Sequence, residues 1–155
     1  MALTLTQFFE SELDLEEIKT IVLNEEFQIQ RNKDLKLSNY DISSKALSNL
    51  TINKVLEIDL PANVSAMVSN PFEVIEIWNL AEKDKILITI NISKIQSSIF
   101  AEIYKTDTNK IQVDSEIKSK VFMMGSFVEE YVSKFWKKLI EKDLTLLINW
   151  QISQI

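Results

Sequence analysis

The chain has 155 residues, enough for one domain with its own hydrophobic core, and its 17 basic and 23 acidic residues give a net charge of −6. It contains no cysteine and no histidine, which excludes disulfides, thiolate or imidazole metal sites, and every Ser-His or Cys-His catalytic pair. All but one of the basic residues are lysines, the exception being Arg31, so no nucleic-acid-binding face is expected. We expect no metal ion and no cofactor. Without a linker-like stretch, we assign residues 1–155 to a single domain.

The N-terminal segment predicts a strand over Leu3–Glu10, which is rich in Thr, Leu and Phe. The first residues carry no basic cluster and no long apolar run, so we expect no signal peptide and a cytoplasmic protein. No stretch approaches the ~18 apolar residues of a membrane span, so we expect no stable membrane insertion.

Two short helices are predicted after this strand. Asp14 has the position of an N-cap and Glu17 that of its capping-box partner, so the first helix runs to about Leu23. The second is predicted over Glu25–Asn32.

The middle of the chain predicts antiparallel strands. One or two helical turns are expected between Pro61 and Asn70, with Pro61 at the first helical position. Apolar and polar residues alternate from Ile111 to Val121, the pattern of a half-buried strand. The other strand-like runs are Lys36–Ser43, Asn49–Asp59, Phe72–Leu80, Lys85–Ser93 and Ser97–Thr106.

The last segment, Ser126–Ile152, predicts an amphipathic helix about 40 Å long. Its apolar stripe comprises Val128, Val132, Phe135, Leu139, Leu146 and Trp150. Strands followed by one long helix indicate an α+β fold, a curved antiparallel sheet of about six to seven strands wrapped round the helix. The gap between sheet and helix is where such folds hold ligands.

This element order resembles that of the START-like (SRPBCC, helix-grip) superfamily, which includes polyketide cyclases and lipid-transfer domains. The last third also resembles the bacterial family called domain of unknown function 2505, through the alternating strand, the turn Phe122–Glu129 and the helix that closes on Trp150. Ser126 departs from that family, which has a second glycine after Gly125. The resemblance implies a cavity but no particular activity.

The candidate site is a ligand cavity between the sheet and the last helix. Its predicted lining is Ile88, Ile90, Ile99, Ile103, Val113, Ile117, Val132, Phe135, Leu139 and Asp143. Close packing without any cavity is the alternative for the apolar members. Asp143 would orient a polar ligand group or move a proton, or else reach solvent at the border of the apolar stripe.

Other polar residues have two interpretations as well. Lys54 and Ser115 fall at inward positions, which a strand end or a bulge would also explain. Glu73 and Glu76 have opposite parity, so one of them points inward in an unbroken strand. The three tryptophans, Trp78, Trp136 and Trp150, serve as core anchors or as surfaces on which a ligand stacks.

Three functions remain open at this point. The leading hypothesis is a non-enzymatic carrier or binding domain for a small apolar or lipid-like molecule, with no catalytic residue assigned. The second is an enzyme of the polyketide cyclase or dehydratase kind that uses Asp143 or an inward glutamate as its base. The third is a protein-interaction module whose interior is filled by its own side chains.

Overall fold

The computed structural model describes residues 2–34, 39–46, 48–66, 68, 70–121 and 125–153. Within these ranges the strands are β1 Leu3–Glu10, β2 Asn39–Ala46, β3 Asn49–Leu56, β4 Phe72–Asn79, β5 Ile86–Ile92, β6 Ser97–Asp107 and β7 Lys110–Ser119. The α-helices are α1 Leu15–Val22, α2 Glu25–Asp34, α3 Ala62–Ser65 and α4 Gly125–Ser153. A 3-10 turn, Ser93–Ile95, joins β5 to β6.

The strands form one curved antiparallel sheet in the order β1-β7-β6-β5-β4-β3-β2. From β2 to β7 each strand pairs with its neighbour in sequence, through short connections except between β3 and β4, where α3 intervenes. The exception is β1, which pairs with β7 so that Leu3 lies opposite Ile117. The long helix α4 crosses the inner face and comes closest to β7, β1 and β6. The predicted α+β helix-grip fold is confirmed.

The alternation of residue types decides which face of the sheet is buried. In β7, Ile111, Val113, Ser115 and Ile117 are buried, whereas the residues that alternate with them face outward and are partly or fully exposed. Inward residues of β3 to β6 are buried in the same way. Burial of these Ile, Leu and Val side chains is the main stabilising term of the fold.

Local contacts hold the helices in place. Asp14 Oδ1 accepts a hydrogen bond from the Glu17 backbone N–H at 2.8 Å, and Glu17 Oε1 accepts one from the Asp14 backbone N–H at 3.3 Å. This pair confirms the capping box at the start of α1. At the start of α4, the Ser119 backbone N–H donates to Glu129 Oε2 at 2.9 Å, so β7 and α4 are joined directly. Trp136 Nε1 donates to Ser115 Oγ at 2.7 Å, which fixes the middle of α4 to the same strand.

A few boundaries differ from the prediction. Strand β2 extends beyond the predicted end at Ser43 to Ala46, while residues 36–38 of the prediction lie outside the described residues. Pro61 is the N-cap of α3 with extended backbone, so the helix begins at Ala62, one position after the predicted start at Pro61. Of the predicted turn before α4, residues 122–124 also lie outside the described part.

Among the helices of the described part, none combines the length and the apolar character that crossing a membrane requires.

Candidate functional site

Four charged side chains meet in the interior, between the sheet and the helices. They are Arg31 of α2, Lys54 of β3, Glu76 of β4 and Asp143 of α4, and we call them the buried ion cluster. Each is only 1–2% exposed. Charged side chains are rarely buried to this degree unless they are paired.

Arg31 is the centre of the cluster. Its Nε and Nη2 atoms donate to the two carboxylate oxygens of Asp143, both at 2.8 Å, in a bidentate pair. Its Nη1 lies 2.6 Å from Glu76 Oε1 and also donates to Gln28 Oε1 at 3.3 Å. The planar guanidinium suits this arrangement, since its donors form a rigid fork that a lysine lacks.

Glu76 gathers three donors. Besides Arg31, Lys54 Nζ donates to its Oε2 at 2.7 Å and Trp78 Nε1 donates to its Oε1 at 2.5 Å. The Arg31 guanidinium carbon also lies 5.4 Å from the centre of the Trp78 ring, within the range of a cation–π contact. Trp78 is therefore a core residue that also contacts the charges of Glu76 and Arg31.

Strand register brings Lys54 and Glu76 together. Both occupy inward positions, and β3 pairs with β4 so that Ile52 lies opposite Glu76 and Lys54 opposite Val74. Lys54 and Glu76 are thus diagonal neighbours, a distance that a long side chain can span. The β3–β4 register is unbroken, so Glu73 faces outward and is exposed while Glu76 is buried.

Neighbouring charges control the protonation of the cluster. Burial alone would raise the pKa of the Glu76 carboxyl, but Arg31 and Lys54 outweigh it and hold this pKa far below its ordinary range. Burial would lower the pKa of Arg31, yet Asp143 and Glu76 raise it above its ordinary value. For Lys54 the balance is opposite: burial first, and then the Arg31 charge, lower the pKa of the ammonium group.

Two polar groups at or next to the buried ion cluster keep unused hydrogen-bonding capacity. An ammonium group has three donors, and among the described residues Lys54 uses one, to Glu76. Asn32, next to Arg31 on α2, donates to the Gln28 carbonyl at 2.6 Å, while its buried Oδ1 has no partner among the described residues. Such groups are costly inside a protein unless water or a ligand satisfies them.

The predicted cavity residues are brought together on the inner face of the sheet and the facing side of α4. Phe135 is partly buried and Leu139 is 4% exposed. The remaining apolar members are 0–1% exposed, so each has neighbours all round it: Ile88, Ile90, Ile99, Ile103, Val113, Ile117 and Val132. That they line a ligand cavity stays a prediction.

Asp143 is buried rather than at a solvent border, and its neighbour Lys142 is exposed. The residue that sequence reasoning missed is Arg31, whose charge makes the burial of Asp143 possible. A signal was present, since one arginine among many lysines marks a position that needs the guanidinium fork. Within the described part of the chain, no group of three or more carboxylates is placed to hold a metal ion.

Comparison with known proteins adds to this picture at the level of fold. No family model matches the chain, and a search of the curated proteins finds no match. Among solved structures, Ara h 8.0201 is similar with a TM-score of 0.63 and 11% identity, over 99% of both chains. An aromatase/cyclase named Zhui from a Streptomyces species has a TM-score of 0.62 and 7% identity, over 96% of this chain and 93% of that one.

A START superfamily protein from Mycobacterium smegmatis is similar as well, with a TM-score of 0.59 and 15% identity over 96% of this chain and 98% of that one. At these identities the likeness concerns the fold alone. The chain therefore shares the START-like helix-grip fold, with a buried ion cluster between its sheet and helices.

Proposed function

We propose that the chain binds a small, largely apolar molecule between the sheet and α4, and that the buried ion cluster is the polar centre of the site. The observation that carries this proposal is the cluster itself, four charges that are 1–2% exposed in an interior built mostly from Ile, Leu, Val and aromatic side chains. Replacing a buried ion group by apolar side chains of similar volume is often neutral or stabilising. Its presence therefore supports a role in recognition.

The fold supports the same general class. Folds in which a sheet curves round one helix often hold ligands between the two, and one protein of similar structure is an aromatase/cyclase. The closer resemblance of residues 111–129 and Trp150 to the bacterial family of unknown function 2505 is part of this proposal and rests on those motifs.

The enzyme hypothesis with a carboxylate base gains no support from the cluster. Arg31 and Lys54 hold the pKa of Glu76 far below neutrality, and a base with so low a pKa is a weak proton acceptor at neutral pH. Asp143 has both oxygens engaged by Arg31. Binding without a reaction at these carboxylates is the function that the geometry favours.

Native mass spectrometry and a binding titration test the proposal. Protein purified from cells is expected to carry a small molecule in part of the population, and to bind the neutral probe N-phenyl-1-naphthylamine saturably with a rise in fluorescence. Detection of only the mass of the bare chain, together with a probe signal that does not saturate, would contradict the proposal.

A pair of variants on β5 shows whether the probe binds inside. Ile90 lies on the inner face opposite Glu76 and Ile99, whereas Thr89 faces outward. Ile90→Phe enlarges an interior side chain and is expected to weaken probe binding, while Thr89→Phe is not. Both are measured well below the melting temperature of the less stable variant. Equal affinities in the two variants would place the probe outside the interior.

A specific observation favours a second candidate, a domain that acts through its surface and encloses no ligand. Seven of the predicted lining residues, including Ile88 and Val132, are 0–1% exposed, as in a closely packed core. This candidate predicts the bare chain mass and no saturable probe binding, so the experiments above separate the two.

A further inference from the structure

Within the described part of the chain, Lys54 makes the fewest hydrogen bonds of the four charged side chains in the buried ion cluster, relative to the number of its donors or acceptors. Arg31 donates to Asp143, Glu76 and Gln28. Glu76 accepts from three donors and Asp143 from two. Among the described residues, the Lys54 ammonium has a single acceptor, Glu76 Oε2. Because an ammonium group can only donate, an additional group that hydrogen-bonds to Lys54 must be an acceptor.

We propose that Lys54 Nζ donates a hydrogen bond to an uncharged carbonyl oxygen on an otherwise apolar ligand. The inference rests on the proposed function and names the ligand class for that site: ketones, aldehydes or esters of hydrocarbon character.

Charge balance favours an uncharged oxygen. The cluster contains two positive groups, Arg31 and Lys54, and two negative groups, Glu76 and Asp143, so its formal charges cancel. A ligand carboxylate would add a negative charge with no counter-charge to a site that is almost fully removed from water. A carbonyl fills the open donor without adding charge.

The surroundings of Lys54 favour an apolar ligand body. Its inward neighbours on β3 are Ile52 and Leu56, and the residue opposite it on β4 is Val74, which in turn lies opposite Ile92 of β5. All four are buried. Beyond the ammonium group, the site therefore offers hydrocarbon and little else on this part of the sheet.

The test compares matched eight-carbon molecules, octane, 2-octanone and octanoate, by displacement of N-phenyl-1-naphthylamine. Lys54→Met is expected to weaken 2-octanone about tenfold, as loss of a hydrogen bond from a charged donor does, and to leave octane affinity within about twofold. Lys85→Met is the matched control, because Lys85 pairs with Glu102 and is 40% exposed. It is expected to change neither affinity.

A second measurement needs no variant. The carbonyl stretching band of ¹³C-labelled 2-octanone bound to the unaltered protein is expected at lower frequency than in hexane, as for a hydrogen-bonded carbonyl. In Lys54→Met the band is expected to return toward its position in hexane. If this variant does not fold, the band in the unaltered protein alone decides.

The outcomes separate the two proposals. Equal loss of octane and 2-octanone affinity in Lys54→Met, or a hexane-like band in the unaltered protein, overturns the carbonyl inference and leaves the proposed function standing. Tighter binding of octanoate than of 2-octanone overturns the choice of an uncharged group. Failure of all three molecules and of the probe to bind overturns the proposed function itself.

Discussion

Arg31 shows how one side chain joins three elements of this fold. It projects from α2, forms a bidentate pair with Asp143 of α4 and reaches Glu76 of β4. Its partners lie 112 and 45 positions away in sequence, so the contacts hold parts of the chain that no turn or loop would keep together. The cost of burying the guanidinium is offset by the two carboxylates and by the ring of Trp78.

Asp143→Asn is expected to destabilise the protein by about 3–5 kcal/mol, because it removes one charge of a buried pair and leaves part of the Arg31 charge uncompensated. Urea unfolding followed by circular dichroism measures the change. Glu141→Gln is the control, since Glu141 is exposed on the same helix and its loss is expected to cost less than about 0.5 kcal/mol. Equal stability of the two variants would show that the Arg31–Asp143 pair contributes nothing to the free energy of unfolding.

Stability is expected to fall in acid through Glu76. Its folded pKa lies below the ordinary value of about 4.3 for an unfolded chain, so the unfolded state binds protons first as the pH drops. The stabilisation is fully present above that value and is lost progressively below it. Urea unfolding at several pH values between 7 and 2 measures this dependence, and Glu76→Gln is expected to make it shallower.

Glu73→Gln is the control for this dependence, because Glu73 lies on the same strand and is exposed on the outer face. It is expected to keep the pH dependence of the unaltered protein. A Glu76→Gln variant whose stability falls as steeply in acid as that of the unaltered protein would show that Glu76 does not cause the pH dependence.

At the scale of elements, the junction of β7 and α4 depends on a close backbone approach. A Cβ atom added to Gly125 would lie 2.9 Å from the Ser119 carbonyl oxygen, closer than van der Waals contact allows. The backbone N–H of Ser119 donates to Glu129, so both the N–H and the carbonyl oxygen of Ser119 lie against the start of α4. The helix start cannot move away without loss of that bond.

Gly125→Ala is therefore expected to destabilise the protein by about 1–3 kcal/mol, the usual cost of overpacking. Ser126→Ala, one position along on an exposed part of α4, is the control and is expected to cost less than about 0.5 kcal/mol. Thermal unfolding followed by circular dichroism compares them. A Gly125→Ala variant as stable as the control would show that the junction relaxes freely.

The elements were largely predictable because their signals are local. Alternation predicts the inner face of β7, and the apolar stripe predicts the side of α4 that is buried. The buried ion cluster was harder to predict from the sequence. Parity predicts that one of Glu73 and Glu76 is buried, but the choice depends on strand pairing. The burial of Asp143 depends on Arg31, 112 positions away, a contact that no periodicity contains.

At the scale of the whole molecule, ligand binding and folding are thermodynamically linked. A molecule that binds only the folded state at 100 times its Kd stabilises that state by about 2.7 kcal/mol. For a chain of this size the melting temperature is expected to rise by about 5–10 °C. Differential scanning calorimetry with 2-octanone measures this shift, and Ile90→Phe is expected to reduce it. Saturable binding without any shift would indicate equal affinity for the unfolded chain.

The pairing of β1 with β7 has a consequence for how the chain folds. Strands β2 to β7 pair with neighbours in sequence and so close much shorter loops, whereas the partner of β1 lies 100 or more residues away. During synthesis β1 leaves the ribosome before the other strands, but it is expected to pair only after β7 has emerged. Until β7 has emerged, β1 lacks its strand partner, and the apolar side chains of Leu3, Leu5 and Phe9 are expected to stay exposed, where chaperones can bind them.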